Sequence, residues 1–162
     1  MQTQPRPGNN ANRVVRFMTD QQDRMESARA FLADPRNHVG NGGATAMLTG
    51  LLILLAGQKE ALEVASDMDS SLAPLKVQYA AVLNDWASFR HDAAHAAERI
   101  FRQLPNRNNV NDPQTRSGDT VVIAYDWKTE IVRTGDGRMM NVPDALRASQ
   151  EIIEAAKPLV GL

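Results

Sequence analysis

Apolar side chains recur at steps of three and four along most of this chain, then switch to alternation near its end. Residues 11–33 carry Val14, Val15, Met18, Met25, Ala28, Phe31 and Leu32 at the spacing of an amphipathic helix, with Arg16, Asp20, Asp23 and Arg24 on the solvated side. Asp34-Pro35 stops that helix, and the Gly- and Asn-rich stretch 37–43 reads as a loop. A second helix over 44–66 is apolar on most sides in its first half, which places it at the centre of a bundle. Pro74 suits the first turn of a third helix, whose stripe of Tyr79, Val82, Trp86, Phe89, Ala93, Ala97, Ile100 and Leu104 runs unbroken to Pro105.

Residues 106–118 are Asn, Pro, Arg and Ser with little to bury, a connector. The period then drops to two. Residues 120–125 are β-branched and aromatic, 130–133 resume the pattern, and Gly135-Asp136-Gly137 supplies a tight turn before 138–142, so a small β-hairpin or meander is expected. Pro143 opens a last helix whose Leu146, Ile152, Ile153 and Ala156 close onto the bundle. The expected fold is mainly α, a four-to-five-helix bundle with a small β-hairpin before the C-terminal helix. Residues 1–11 form a loose arm and 12–162 a single domain.

Composition narrows the chemistry. A chain of 162 residues buries roughly 70% of its unfolded surface, enough for one core. It has no cysteine, which removes disulfides, thiolate metal sites and cysteine nucleophiles together. The N-terminal arm lacks the apolar stretch of a secretory signal, and the longest apolar run, 44–56, falls short of the roughly 20 residues a membrane span needs. These features point to a cytoplasmic protein with no membrane partner. With net charge −1 and a pI near 6.3, the whole-molecule field offers nothing to nucleic acid, so any such role needs a local patch. No segment asks for a cofactor: Gly40 to Gly43 lacks the Lys-Ser or Lys-Thr of a phosphate loop, and Asp67, Asp69 and Ser70 lack the later Gly and Glu of a calcium loop.

The densest group of functional side chains is Phe89-Arg90-His91-Asp92-Ala93-Ala94-His95 on the third helix. His91 and His95 are four apart and share a face. At about 100° per residue, Arg90 falls roughly 40° from the centre of the apolar stripe, and His91 and His95 at roughly 140° and 180°. A guanidinium so close to the buried side must snorkel outward or border an interface.

Arg90, His91 and His95 resemble the signature of the HEPN superfamily, in which an arginine followed by a polar residue precedes a histidine by four to six positions on a late helix of a small bundle. Many members are RNases that act as toxins or antiviral effectors, and others are non-catalytic. The resemblance implies a metal-independent endoribonuclease in which Arg90 stabilises the charge on the reacting phosphate, His95 handles the proton and His91 orients one of them. It also implies a site completed by a second copy, hence a homodimer, and an antitoxin or regulatory protein as a further partner. RNA contact would fall to Arg99, Arg102 and Arg107, which extend away from the motif.

Blander readings stand beside this one. Arg90 can pair with Asp85, Asp92 or Glu98 on its own helix while both histidines are solvated. A metal site would need a third ligand, and Asp92 and Glu98 project elsewhere. A non-catalytic helical module holding a partner protein or nucleotide uses the same bundle without proton chemistry. His38 reads as a surface residue, and Trp127 as a side chain packed over the hairpin or a ligand contact.

Overall fold

A computed structural model of the chain describes residues 10–39, 42–103, 123–134 and 137–162, with 94–103 in backbone only. The expected architecture is present. Helices α1 (Asn10–Ala33), α2 (Gly42–Met68), α3 (Ala73–Gln78) and α4 (Ala80–Gln103) precede three short strands, and α5 (Val142–Leu159) closes the bundle. Residues 1–9 of the arm and residues 104–122, with the first residues of the expected strand at 120, lie outside the described residues, whereas Asn10 and Ala11, counted in the arm, are the first residues of α1 because Ala11 is buried in the core.

Helix α1 buries Ala11, Val15, Met18, Gln22, Met25 and Leu32 against α2 and α5. Its last carbonyls, which have no partner within the helix, are taken by the turn that follows: Asn37 Nδ2 donates to Phe31 O at 2.8 Å, and His38 Nε2 lies 2.7 Å from Leu32 O. His38 is therefore a helix-end cap, not a loose surface residue. Asp34 starts this turn by accepting from Arg36 N at 3.0 Å.

Helix α2 lies between α1 and α4 and seats Leu48, Leu51, Leu52, Leu55 and Leu62 in the core. It is not surrounded on all sides, however, because Ile53, Val64 and Met68 remain exposed along an outer stripe. Two buried glutamines tie α1 to α2 and to α5. Gln58 Nε2 donates to Met18 O at 2.9 Å, and Gln22 Nε2 donates to Leu146 O at 3.1 Å.

The third helix is not continuous. It breaks at Tyr79, which leaves the helical region (φ −103°, ψ 12°) while its N–H still reaches Leu75 O at 3.0 Å. The bend lets Leu72 and Leu75 seat below α2 and Leu83, Trp86 and Phe89 seat along it. No Gly or Pro marks the position, so nothing in the local sequence announced it.

Strands β1 (Ala124–Asp126), β2 (Ile131–Arg133) and β3 (Met139–Asn141) form an antiparallel meander in the order β1-β2-β3. The register sets Tyr125 opposite Val132 and Val132 opposite Met140 on the inner face, with Ala124, Arg133 and Met139 in a row on the outer face. The β2–β3 turn closes through Thr134 N to Arg138 O at 3.0 Å, and Gly137 adopts φ 87°, a conformation that favours glycine. Strand β3 runs directly into α5. Asn141 caps it by accepting from Asp144 N at 2.9 Å, and Pro143 occupies the first turn.

Candidate active site

The motif sits on α4, and the structure places Arg90 and His91 both on its exposed side. Arg90 is not at the buried margin that the stripe suggested. Its Nη1 reaches across to Glu60 Oε1 on α2 at 3.6 Å, with half of the arginine side chain and two thirds of the glutamate exposed. That distance is beyond a hydrogen bond, and an ion pair in such a solvated setting contributes little. The half-exposed guanidinium can thus exchange this partner for an incoming anion. The partner is on another helix, unlike the expected pairing with Asp85, Asp92 or Glu98. His95 follows His91 by one turn of the same helix; its side chain, like those of Arg99 and Arg102, lies outside the described residues, and so does Arg107.

The reason for the shift in Arg90 lies on the opposite edge of α4. The buried face is not centred on the apolar stripe, because it extends to Asp92, which is only 4% exposed. Arg138, at the base of β3, covers it. One terminal nitrogen donates to Asp92 Oδ2, the other to Ser88 Oγ, and the guanidinium carbon stands 5.3 Å from the centroid of Phe89. Burial pushes the nearby Asp85 carboxyl up from its usual range, and the same arginine opposes that push. Covering Ser88 and Asp92 rotates the buried sector of α4 away from Arg90. Asp85, Ser88, Phe89 and Asp92 share one helical face, which the sequence shows; that Arg138 completes it across 46 positions the sequence does not show.

A second polar cluster flanks the sheet. Arg29 of α1 forks onto Glu130, Nε to Oε1 at 2.8 Å and Nη2 to Oε2 at 3.1 Å. This grip holds Glu130 at φ 53°, a left-handed conformation that a residue with a Cβ rarely adopts. His38 lies parallel to Tyr125 with ring centroids 6.0 Å apart, and Trp127 is tilted 6.5 Å away. The Tyr125 hydroxyl is enclosed with no hydrogen-bond partner, and burial pushes its pKa up to about 12. A phenol whose folded pKa is raised contributes stability that is intact below its unfolded value near 10 and is lost as pH rises toward 12. Absorbance at 295 nm is expected to show Tyr125 ionising near 12. A Tyr125 midpoint at 10 in the folded protein would contradict the enclosure seen here.

Among the described residues, no group of three His, Asp or Glu side chains can hold a metal ion, and no helix is long and apolar enough to cross a membrane. No protein-family model, curated protein or solved structure matches the chain.

Proposed function

We propose that this protein is a metal-independent endoribonuclease of HEPN type, acting in the cytoplasm as a toxin or defence effector with a neutralising protein partner. The observation that carries the reading is the exposed Arg90 guanidinium, loosely paired at 3.6 Å and adjoining His91, one turn from His95. Cleavage at this site runs by attack of a ribose 2′-oxygen on the adjacent phosphorus. The P–O5′ bond breaks, leaving a 2′,3′-cyclic phosphate and a 5′-hydroxyl. His95 accepts the 2′ proton, water returns one to the 5′-oxygen, His91 orients Arg90 or His95, and Arg90 faces the charge that builds on the phosphorane. Arg99, Arg102 and Arg107 extend the contact to RNA.

A second copy completes the site in this reading. The exposed Ile53, Val64 and Met68 of α2 flank Glu60, the residue that holds Arg90, so the apolar stripe borders the motif. Sedimentation at tens of micromolar is expected to show a dimer that Val64→Arg dissociates; a monomeric wild type would remove the composite site.

The deciding assay incubates wild type, Arg90→Ala and His95→Ala with labelled single-stranded RNA in EDTA. Cleavage by the wild type alone, with cyclic phosphate ends, is the expected result. Equal cleavage by all three proteins would overturn the reading. RNA or protein binding that survives His95→Ala without any cleavage would assign the bundle to a non-catalytic binding module.

A further inference from the structure

Two cations at the sheet, Lys128 and Arg133, make no ion pair among the described residues while its acids are occupied, although Asp126 is near enough to Arg133 for the two charges to interact. Asp126 accepts from Thr129 Oγ1 at 2.8 Å and from Lys128 N at 3.0 Å, bonds that hold its carboxyl below the usual range. Glu130 is gripped by both arms of Arg29. Lys128 and Arg133, in contrast, have no carboxylate within ion-pair distance among the described residues. Arg133 donates only to a neutral acceptor, the Sδ of its cross-strand partner Met139, at 2.8 Å. The Lys128 ammonium stands 5.5 Å from the ring centroid of Trp127, a residue 37% exposed, while the other tryptophan, Trp86, is in the core.

These residues are joined through the sheet to α4, at the edge opposite Arg90. Arg138 touches Ser88 and Asp92 in the turn of α4 that carries Arg90 and His91, and Met139 follows it in the chain. Arg133 is opposite Met139, and Ala124 is opposite Arg133. Trp127 is three residues beyond Ala124, about 10 Å at the rise of an extended strand. Cations outside any ion pair near a partly exposed aromatic ring suit a single nucleic-acid strand, whose phosphates seek the cations and whose bases stack on the ring.

We infer that the sheet guides the RNA strand leaving the motif, with Arg133 and Lys128 on its phosphates and Trp127 stacked on one base. The inference rests on the ribonuclease reading for its ligand and adds residues that the motif does not contain. A base arriving on the indole displaces the Lys128 ammonium from the ring onto the neighbouring phosphate, so stacking and charge pairing occur together.

The test is a fluorescence titration of the His95→Ala protein with an eight-nucleotide oligouridylate in EDTA. Saturable quenching is expected, absent in a Trp127→Phe background because Trp86 is shielded. Trp127→Ala is expected to weaken binding by about 5- to 150-fold, the range for loss of one base stack. The Arg133→Ala, Lys128→Ala double variant is expected to lower the slope of log affinity against log salt by about 1.4, at roughly 0.7 per single-strand phosphate. Wild type that cuts RNA while Trp127 stays silent and the salt slope is unchanged would overturn the guide and leave the nuclease standing. Quenching by an RNA that wild type never cuts would support the sheet as a binding face and overturn the nuclease.

Discussion

Truncating Arg138 to alanine is expected to destabilise the protein by about 3 kcal/mol, because it takes the cation from a buried carboxylate. Asp92 keeps only 5% of its side chain exposed, whereas Arg138 is 34% exposed, so water can enter where the guanidinium was and the cost falls at the low end for a broken buried pair. The Phe89 ring also loses its cation. For a chain of this length the loss corresponds to a fall in Tm of about 6–12 °C. Replacing both partners, Arg138→Met with Asp92→Leu, is expected to recover most of it, since no charge is then buried. Thermal unfolding followed at 222 nm measures all three proteins, and an Arg138→Ala variant within 0.5 kcal/mol of wild type would show that Asp92 is satisfied without it.

A larger effect, on rate, is expected at His95. Loss of a group that moves a proton in the transition state typically lowers the rate 10²–10⁴-fold, so His95→Ala should leave RNA cleavage near background in single-turnover assays. Arg90→Ala is expected to cost roughly 10²–10³-fold, the scale for a lost donor to transition-state charge. Arg90→Lys is not expected to restore it, since an ammonium lacks the planar fork that meets two phosphate oxygens. The double variant should be little slower than the worse single one, as groups acting in one step are not additive. A His95→Ala rate within threefold of wild type would remove the proton role.

Much of the fold could be read before the structure, for identifiable reasons. Met18, Met25 and Leu32 repeat at helical spacing because one face of α1 is buried, and the change to period two near residue 124 marks the only sheet among the described residues. Signals that depend on distant partners were invisible. The break at Tyr79 carries no Gly or Pro, since tertiary seating of Leu72 and Leu75 imposes it. The position of Arg90 was misjudged because a helical wheel weighs apolar residues only. Asp92, a charged side chain offered as a partner of Arg90, is instead part of the interior under Arg138. His38 was misread for a related reason: its partner is a carbonyl left over at the end of α1, which no side-chain pattern records.

The contacts that fix α4 span unequal lengths of chain, and this orders events during synthesis. Helices α1 and α2 are joined by a short turn, so their pairing closes a small loop at modest entropic cost. Strands of three residues do not stand alone, and these wait for Arg29 and Asp92 to hold them from α1 and α4. Helix α5 joins last, reaching α1 through Gln22 with Leu146 and Asn12 with Val160, pairs 124 and 148 positions apart. A ribosome adds roughly 5–20 residues per second, so the turn of α4 bearing Arg90 and His91 exists for seconds before Arg138 has even been added. During that interval Asp92 has no cation from the sheet and the turn is not yet held in its final orientation. A growing chain therefore presents the motif before strand β3 and helix α5 have fixed its setting.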